Sequence, residues 1–151
     1  MPLFLLFLIA ILGLPATTLA QPSPQVWLTD LDGAVGPASA DHIIRTLDRA
    51  AQNDVALLIL RMNTPGGLDN AMRDIVSAIL ESPVPVATWV APSGARAASA
   101  GAYISAASHV AAMSPATNIG SSTPVSLGAA GDTGESASAS EQKAVNDAIA
   151  Y

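Results

Sequence analysis

The chain contains no cysteine, so it can form no disulfide, no thiolate-held zinc or iron–sulfur centre and no thiol nucleophile. Two isolated histidines, His42 and His109, are too few for a histidine-rich metal site, and neither a metal nor any other cofactor is expected. Cations are scarce: Lys and Arg number 6 against 12 Asp and Glu, a formal net charge of -6. No basic stripe can be assembled from so few, which excludes phosphate-backbone neutralisation and makes nucleic acid an unexpected partner. Aromatic residues are only 4% of the 151, whereas hydrophobic residues are 50%, so any core must be aliphatic, and the length permits one domain at most. By elimination the nucleophile of any covalent chemistry is an oxygen or the single lysine, Lys143.

The longest apolar run lies at the N-terminus. Leu3 to Leu14 reads LFLLFLIAILGL, followed by Pro15 and by small residues at Thr18 and Ala20, the −3 and −1 positions of a cut after Ala20. This is the pattern of a secretory signal peptide over residues 1–20. The run is shorter than the roughly 20 apolar residues of a bilayer span, although a retained membrane anchor is the alternative. The mature domain is expected to cover residues 21–151 and to work outside the cytoplasm.

Downstream, strand and helix patterns alternate. Val26 to Leu31 predicts a strand, and Ser39 to Gln52 a helix with Ile43, Ile44, Leu47, Ala50 and Ala51 on one face. Ala56 to Met62 is nearly continuous in apolar residues, as expected of a strand covered on both faces. The loop Asn63-Thr64-Pro65-Gly66-Gly67 leads into a helix through Leu68, Ala71, Met72, Ile75, Val76, Ile79 and Leu80. Val84 to Ala91 predicts another strand, Ala97 to Ala107 a helix of small residues capable of very close packing, and Val110 to Met113 a short strand. Repeated βαβ units of this kind predict an α/β fold with a mostly parallel sheet and helices on its faces. Gly120 to Ser140 lacks any apolar period after Leu127 and reads as a surface loop. Helical patterning resumes from Glu141 to Tyr151 and stops without a cap, so the chain is expected to be truncated at its C-terminus.

Three elements carry chemistry: the Asn63 to Gly67 loop, the Ala97-Ala98-Ser99-Ala100-Gly101 segment and Lys143. In a parallel βαβ sheet the loops after the strands gather at the carboxyl edge, which brings the first two into one crevice. Glycines there let backbone N–H groups approach a substrate, and two such groups form an oxyanion hole. A serine at a helix start lies where the dipole favours developing negative charge, but it needs a base to take its proton. Candidate bases are His42, His109, the carboxylates and Lys143. Singly, each element has a plainer meaning: a turn, close helix packing, a solvated lysine. Their joint occurrence in this order favours a catalytic one.

The blocks Asn63-Thr64-Pro65-Gly66-Gly67-Leu68, Val90 to Ile104 (VAPSGARAASAGAYI), Met113 to Gly120 (MSPATNIG) and Lys143-Ala144-Val145-Asn146-Asp147 resemble the membrane-bound serine peptidases of the ClpP class called nodulation efficiency protein D (NfeD), or stomatin operon partner proteins. The resemblance implies a ClpP/crotonase-like fold, Ser99 as nucleophile and Lys143 as general base of a Ser/Lys dyad. It further implies an oxyanion hole from the N–H groups of Gly67 and Ala100, and substrate binding by Gly66, Gly67 and Leu68. Arg96 and Asn118 fall in matching segments without an assigned chemistry. No histidine follows Met113, which sets the chain apart from Ser/His/Asp members of the wider class, and Ala97 stands where a Gly-x-Ser-x-Gly elbow has its first glycine. The expected function is an extracytoplasmic or periplasmic serine endopeptidase, membrane-bound at full length and at least dimeric. It would cleave apolar segments of membrane-associated proteins such as a stomatin-like partner. A non-catalytic peptide-binding or scaffolding module and a crotonase-type acyl-CoA enzyme are the rivals.

Overall fold

A computed structural model describes residues 23–122 and Asn146. The expected signal segment, the Gly120 to Ser140 loop beyond Ser122, and Lys143 lie outside the described residues. The elements run β1 (Val26–Asp32), α1 (Pro37–Gln52), β2 (Leu57–Asn63), α2 (Asp69–Glu81), β3 (Val86–Val90), β4 (Arg96–Ala98), α3 (Ala100–Ala107), β5 (Val110–Met113) and β6 (Asn118–Gly120). Strands β1, β2, β3 and β5 form one parallel sheet in that order, with Val26 opposite Leu57, Leu58 opposite Val86 and Ala87 opposite Val110. A second, two-stranded parallel sheet joins β4 to β6, Ala97 opposite Ile119.

Each strand of the large sheet is added to the same edge as the chain proceeds. Because strand crossovers share one hand, advancing always in one direction puts every crossover helix on the same face. The burial follows: Thr29, Leu31, Leu58, Leu60, Met62, Val86, Thr88 and Val90 point to one face and are buried against the apolar stripes of α1 (Ala40, Ile43, Leu47, Ala50) and α2 (Ala71, Met72, Ile75, Val76, Ile79) and against Ile104 of α3. The opposite face is open among the described residues, with Leu28, Asp30, Arg61 and Trp89 exposed. This corrects the expectation that helices cover both faces. The apolar run of β2 misled because Leu57 and Ile59 are half-buried on the open side, where Arg61 makes a two-pronged ion pair with Asp30 of the neighbouring strand at 2.6 and 2.9 Å.

Local chemistry accounts for the element ends. Pro37 opens α1, two residues earlier than its periodicity suggested, because its fixed φ suits the first helical position. Ser39 folds back to accept the Gly36 N–H at 2.8 Å. Asp41–Arg45 and Asp69–Arg73 pairs at i,i+4 lie on the solvent faces of α1 and α2. Leu68 is the N-cap of α2 and Leu80 is largely exposed, so neither belongs to the core stripe that the sequence pattern assigned them to. Residues 97 and 98 belong to β4 rather than to the following helix.

One core position is chemically out of place. Thr88, in the middle of β3, is fully buried and its hydroxyl has no hydrogen-bond partner among the described residues. An unsatisfied buried hydroxyl costs about 1–3 kcal/mol. Thr88→Val, similar in volume and lacking the hydroxyl, is expected to raise the unfolding free energy by about 1 kcal/mol, read as a higher urea midpoint at unchanged slope; an unchanged or lower midpoint would show that the hydroxyl is satisfied.

Candidate active site

The site assembles where the Asn63 to Leu68 segment passes between two partners. On one side Thr64 bridges Ala97 of β4, with the Thr64 N–H donating to the Arg96 carbonyl at 2.7 Å and the Ala98 N–H to the Thr64 carbonyl at 3.1 Å. On the other side Gly67 bridges Val35: the Val35 N–H donates to the Gly66 carbonyl and the Leu68 N–H to the Val35 carbonyl, both at 2.9 Å. Thr64 is fully buried and its hydroxyl accepts the Gly66 N–H at 3.0 Å, so the loop is pinned from within. Asn63 adds a tie across three strands, donating to Asp32 at 3.0 Å and accepting the Arg96 N–H at 3.3 Å.

These contacts press the loop against Ser99. A β-carbon built on Gly66, where φ is +103°, would lie 2.5 Å from the Ser99 β-carbon and 3.0 Å from its Oγ. Only glycine permits that approach. Gly101, the second residue of α3, is equally constrained: its missing β-carbon would lie 2.6 Å from the Thr64 γ-methyl. The helix of small residues therefore does pack at very close range, and it does so against the loop that forms the site.

Ser99 is the N-cap of α3, with φ 51° and ψ −116°. A non-glycine residue in this region is strained by about 1–3 kcal/mol and persists only where its surroundings hold it. The sharp strand-to-helix turn is the geometry of a nucleophile elbow, reached here although Ala97 replaces the first glycine of that motif. The Ser99 N–H is spent on the Gly120 carbonyl of β6 at 2.8 Å, and the Ser99 carbonyl accepts the Ala102 N–H at 2.9 Å. Two neighbouring donors are left over. Ala100 is the first helical residue, whose N–H has no intrahelical acceptor, and the Gly67 N–H has no partner among the described residues. Gly66, in the loop after β2, thus meets Ser99 at the turn between β4 and α3, with Ala100 next to the serine in the chain and Gly67 and Leu68 next to the glycine.

The histidines lie elsewhere. His42 of α1 bonds the Thr29 hydroxyl at 2.9 Å, and His109 Nδ1 accepts the Val86 N–H at 3.2 Å at the amino end of β3, the edge opposite the site. Arg96 is exposed in β4, and Asn118 opens β6 as its register partner. A cavity of about 240 Å³ at the carboxyl ends of β1 to β3 is lined by Asp30, Asp32, Arg61, Asn63, Ala91 and Pro92. Its Asp30 carboxylate, bonded by the Arg61 side chain, is held below the usual carboxylate range, which makes it a poor base. Among the described residues no three His, Asp or Glu side chains converge to hold a metal, and no helix is long and apolar enough to cross a membrane.

Sequence reading missed β4, β6 and the roles of Thr64 and Gly120. Three-residue strands are too short to show a period. A threonine two residues before a glycine in a loop is a known turn-forming pattern and could have marked Thr64.

Comparison with known proteins identifies the family and the fold. The family model described as NfeD1b, N-terminal domain, matches residues 25–149. The chain is 37% identical over 121 residues to the membrane-bound protease PH1510 of Pyrococcus horikoshii, and 32% identical over 120 residues to the membrane protein NfeD1b of Bacillus subtilis. Those alignments cover 80% of this chain but only 27% and 26% of the relatives, so the chain spans about a quarter of their length. Among solved structures, the 1510-N membrane-bound stomatin-specific protease superposes with a TM-score of 0.68, both as a serine-to-alanine mutant (36% identity) and as a lysine-to-alanine mutant in complex with a substrate peptide (37% identity). Each match covers 70% of this chain, and 51% and 48% of the respective structures. ClpP1 of Listeria monocytogenes, at 20% identity and a TM-score of 0.56 over 61% of this chain and 54% of that one, shares the fold.

Proposed function

Because this chain belongs to the NfeD1b N-terminal domain family and has the ClpP-like fold, we propose that it is the protease domain of a serine endopeptidase with Ser99 as nucleophile and Lys143 as general base. The observation that carries this reading is the strained turn at Ser99 with Gly66 pressed against it, next to N–H groups of Gly67 and Ala100 that have no acceptor among the described residues. In this mechanism Ser99 Oγ adds to the peptide carbonyl carbon while its proton passes to the Lys143 amine. The carbonyl oxygen, now negative, is held by the two N–H groups. Collapse breaks the C–N bond as the proton moves to the departing amine, and water then releases the acyl group from Ser99. The two variants of 1510-N, one lacking a serine and the other a lysine, support this pairing of residue types.

The substrate we infer is an apolar segment of a membrane-associated protein, in keeping with the stomatin-specific naming of 1510-N. Leu68, partly exposed beside the Gly67 donor, suits such a segment. The membrane-bound naming of the relatives and the Leu3 to Leu14 run support action on the extracytoplasmic side, with the full-length form membrane-bound and at least dimeric. An acyl-CoA role is disfavoured because the Leu3 to Leu14 run points to export, whereas CoA thioesters are cytosolic.

Fluorophosphonate labelling of the full chain tests the reading. The label is expected on Ser99, and peptide cleavage with Ser99 unlabelled overturns it. An ordinary lysine is an ammonium at neutral pH and cannot accept a proton, so a basic Lys143 must sit where the charged form is disfavoured. Activity should therefore rise with pH through an inflection well below the ordinary lysine value of about 10.4. Loss of activity in His109→Ala would refute the dyad.

A further inference from the structure

The strain at Ser99 has to be held by something, and its main hydrogen-bonded restraint is the Gly120 carbonyl. That carbonyl belongs to β6, a strand of three residues whose one strand partner among the described residues is β4, and which is exposed at Asn118 and Ile119. At its last residue and the one after it the backbone has positive φ, 139° at Gly120 and 52° at Ser121. A short edge strand followed by a left-handed reversal is poorly restrained unless its far end is anchored. The anchor is in α3: the Tyr103 hydroxyl donates to the Ser122 carbonyl at 3.1 Å. Tyr103 lies four residues after Ser99, with its ring packed on the core. The first turn of α3 thus grips two alternate carbonyls of one segment, Gly120 through the Ser99 N–H and Ser122 through the tyrosine.

Resting on the serine-nucleophile reading, we propose that Tyr103 is a positioning residue that keeps Ser99 in its reactive conformation by latching the chain after β6. It acts through Gly120 and the Ser99 N–H rather than on the reacting atoms. Removing the hydroxyl leaves the ring and its packing in place but frees the Ser122 end of the reversal. The Gly120 carbonyl then wanders, and the serine relaxes part of the time toward unstrained dihedrals from which Oγ no longer faces the two donors.

The test compares the wild-type full chain with Tyr103→Phe and with Ser108→Ala. The latter removes a hydrogen bond of the same kind at the far end of α3, from the Ser108 hydroxyl to the Ile104 carbonyl. Two quantities are read: the rate of fluorophosphonate labelling at Ser99, and hydrogen exchange of the Ser99 amide by NMR. Tyr103→Phe should slow labelling about tenfold, the order expected from one net hydrogen bond. It should also speed Ser99 amide exchange, and lower kcat for peptide cleavage with KM little changed. Ser108→Ala should do none of these. Unchanged Ser99 amide exchange in Tyr103→Phe overturns the latch whatever happens to activity, as does an equal effect from Ser108→Ala. If the wild-type chain takes no label while Tyr103→Phe still speeds exchange, the latch stands and the peptidase reading is what fails.

Discussion

Ser99→Ala is expected to abolish peptide hydrolysis by the full chain, with kcat down about 10⁴-fold or more, and Lys143→Ala to do the same. The double variant should be no worse than either single one. A nucleophile and its base act as a unit, so once one is gone the other has nothing left to contribute. The residual rate reflects substrate binding and the Gly67 and Ala100 donors alone. Folding should survive Ser99→Ala, because it removes a half-exposed hydroxyl that makes no hydrogen bond among the described residues. Equal urea midpoints for this variant and the wild type are the control. Near-normal turnover in Lys143→Ala would show that another group takes the proton.

The second large effect is expected from Gly67→Ala. An added β-carbon would lie 2.0 Å from the Val35 carbonyl oxygen, 2.6 Å from its nitrogen and 2.7 Å from its carbonyl carbon. All three are backbone atoms, so no side chain can swing aside, and the bridge between the loop and residue 35 must open. Overpacking of this kind costs about 1–3 kcal/mol, and we expect the upper end. The same shift carries the Gly67 N–H away from the site, where loss of one oxyanion donor lowers kcat about 10²-fold to 10³-fold. Gly36→Ala is the matched control: nothing lies within 4 Å of its added carbon and its φ is −153°. It should change stability by less than about 1 kcal/mol and leave labelling of Ser99 as it was. Wild-type stability and labelling in Gly67→Ala would refute the close approach.

Much of the scaffold was readable from residue types and spacing. The stripes Ile43, Leu47, Ala50 and Ala71, Ile75, Ile79 have the 3.6-residue period of a half-buried helix, and their positions are buried in the fold. The start of α1 at Pro37, two residues before the period begins, was less legible, because a proline's constraint acts within a residue or two and leaves no period. The segment Pro65-Gly66-Gly67 and the small residues from Ala97 to Gly101 permit close backbone approach, although singly each reads as well as a turn or as helix packing, and only their joint occurrence favoured a site. By itself, then, the sequence determined the elements that have a period, the parallel α/β class, the absence of thiol and histidine-metal chemistry, and the short roster of groups able to react. Only the tertiary structure decided how those groups are held. Ser99 takes its strained dihedrals because Gly120, twenty-one residues later, accepts its N–H, and because Gly66, thirty-three residues earlier, has no side chain to push it back. The open sheet face was likewise decided by strand order, which sets the side on which crossovers fall. Periodicity reports what one residue shares with its neighbours along the chain, whereas strain, donor alignment and face coverage depend on contacts between distant segments, and these exist only once the chain has closed on itself.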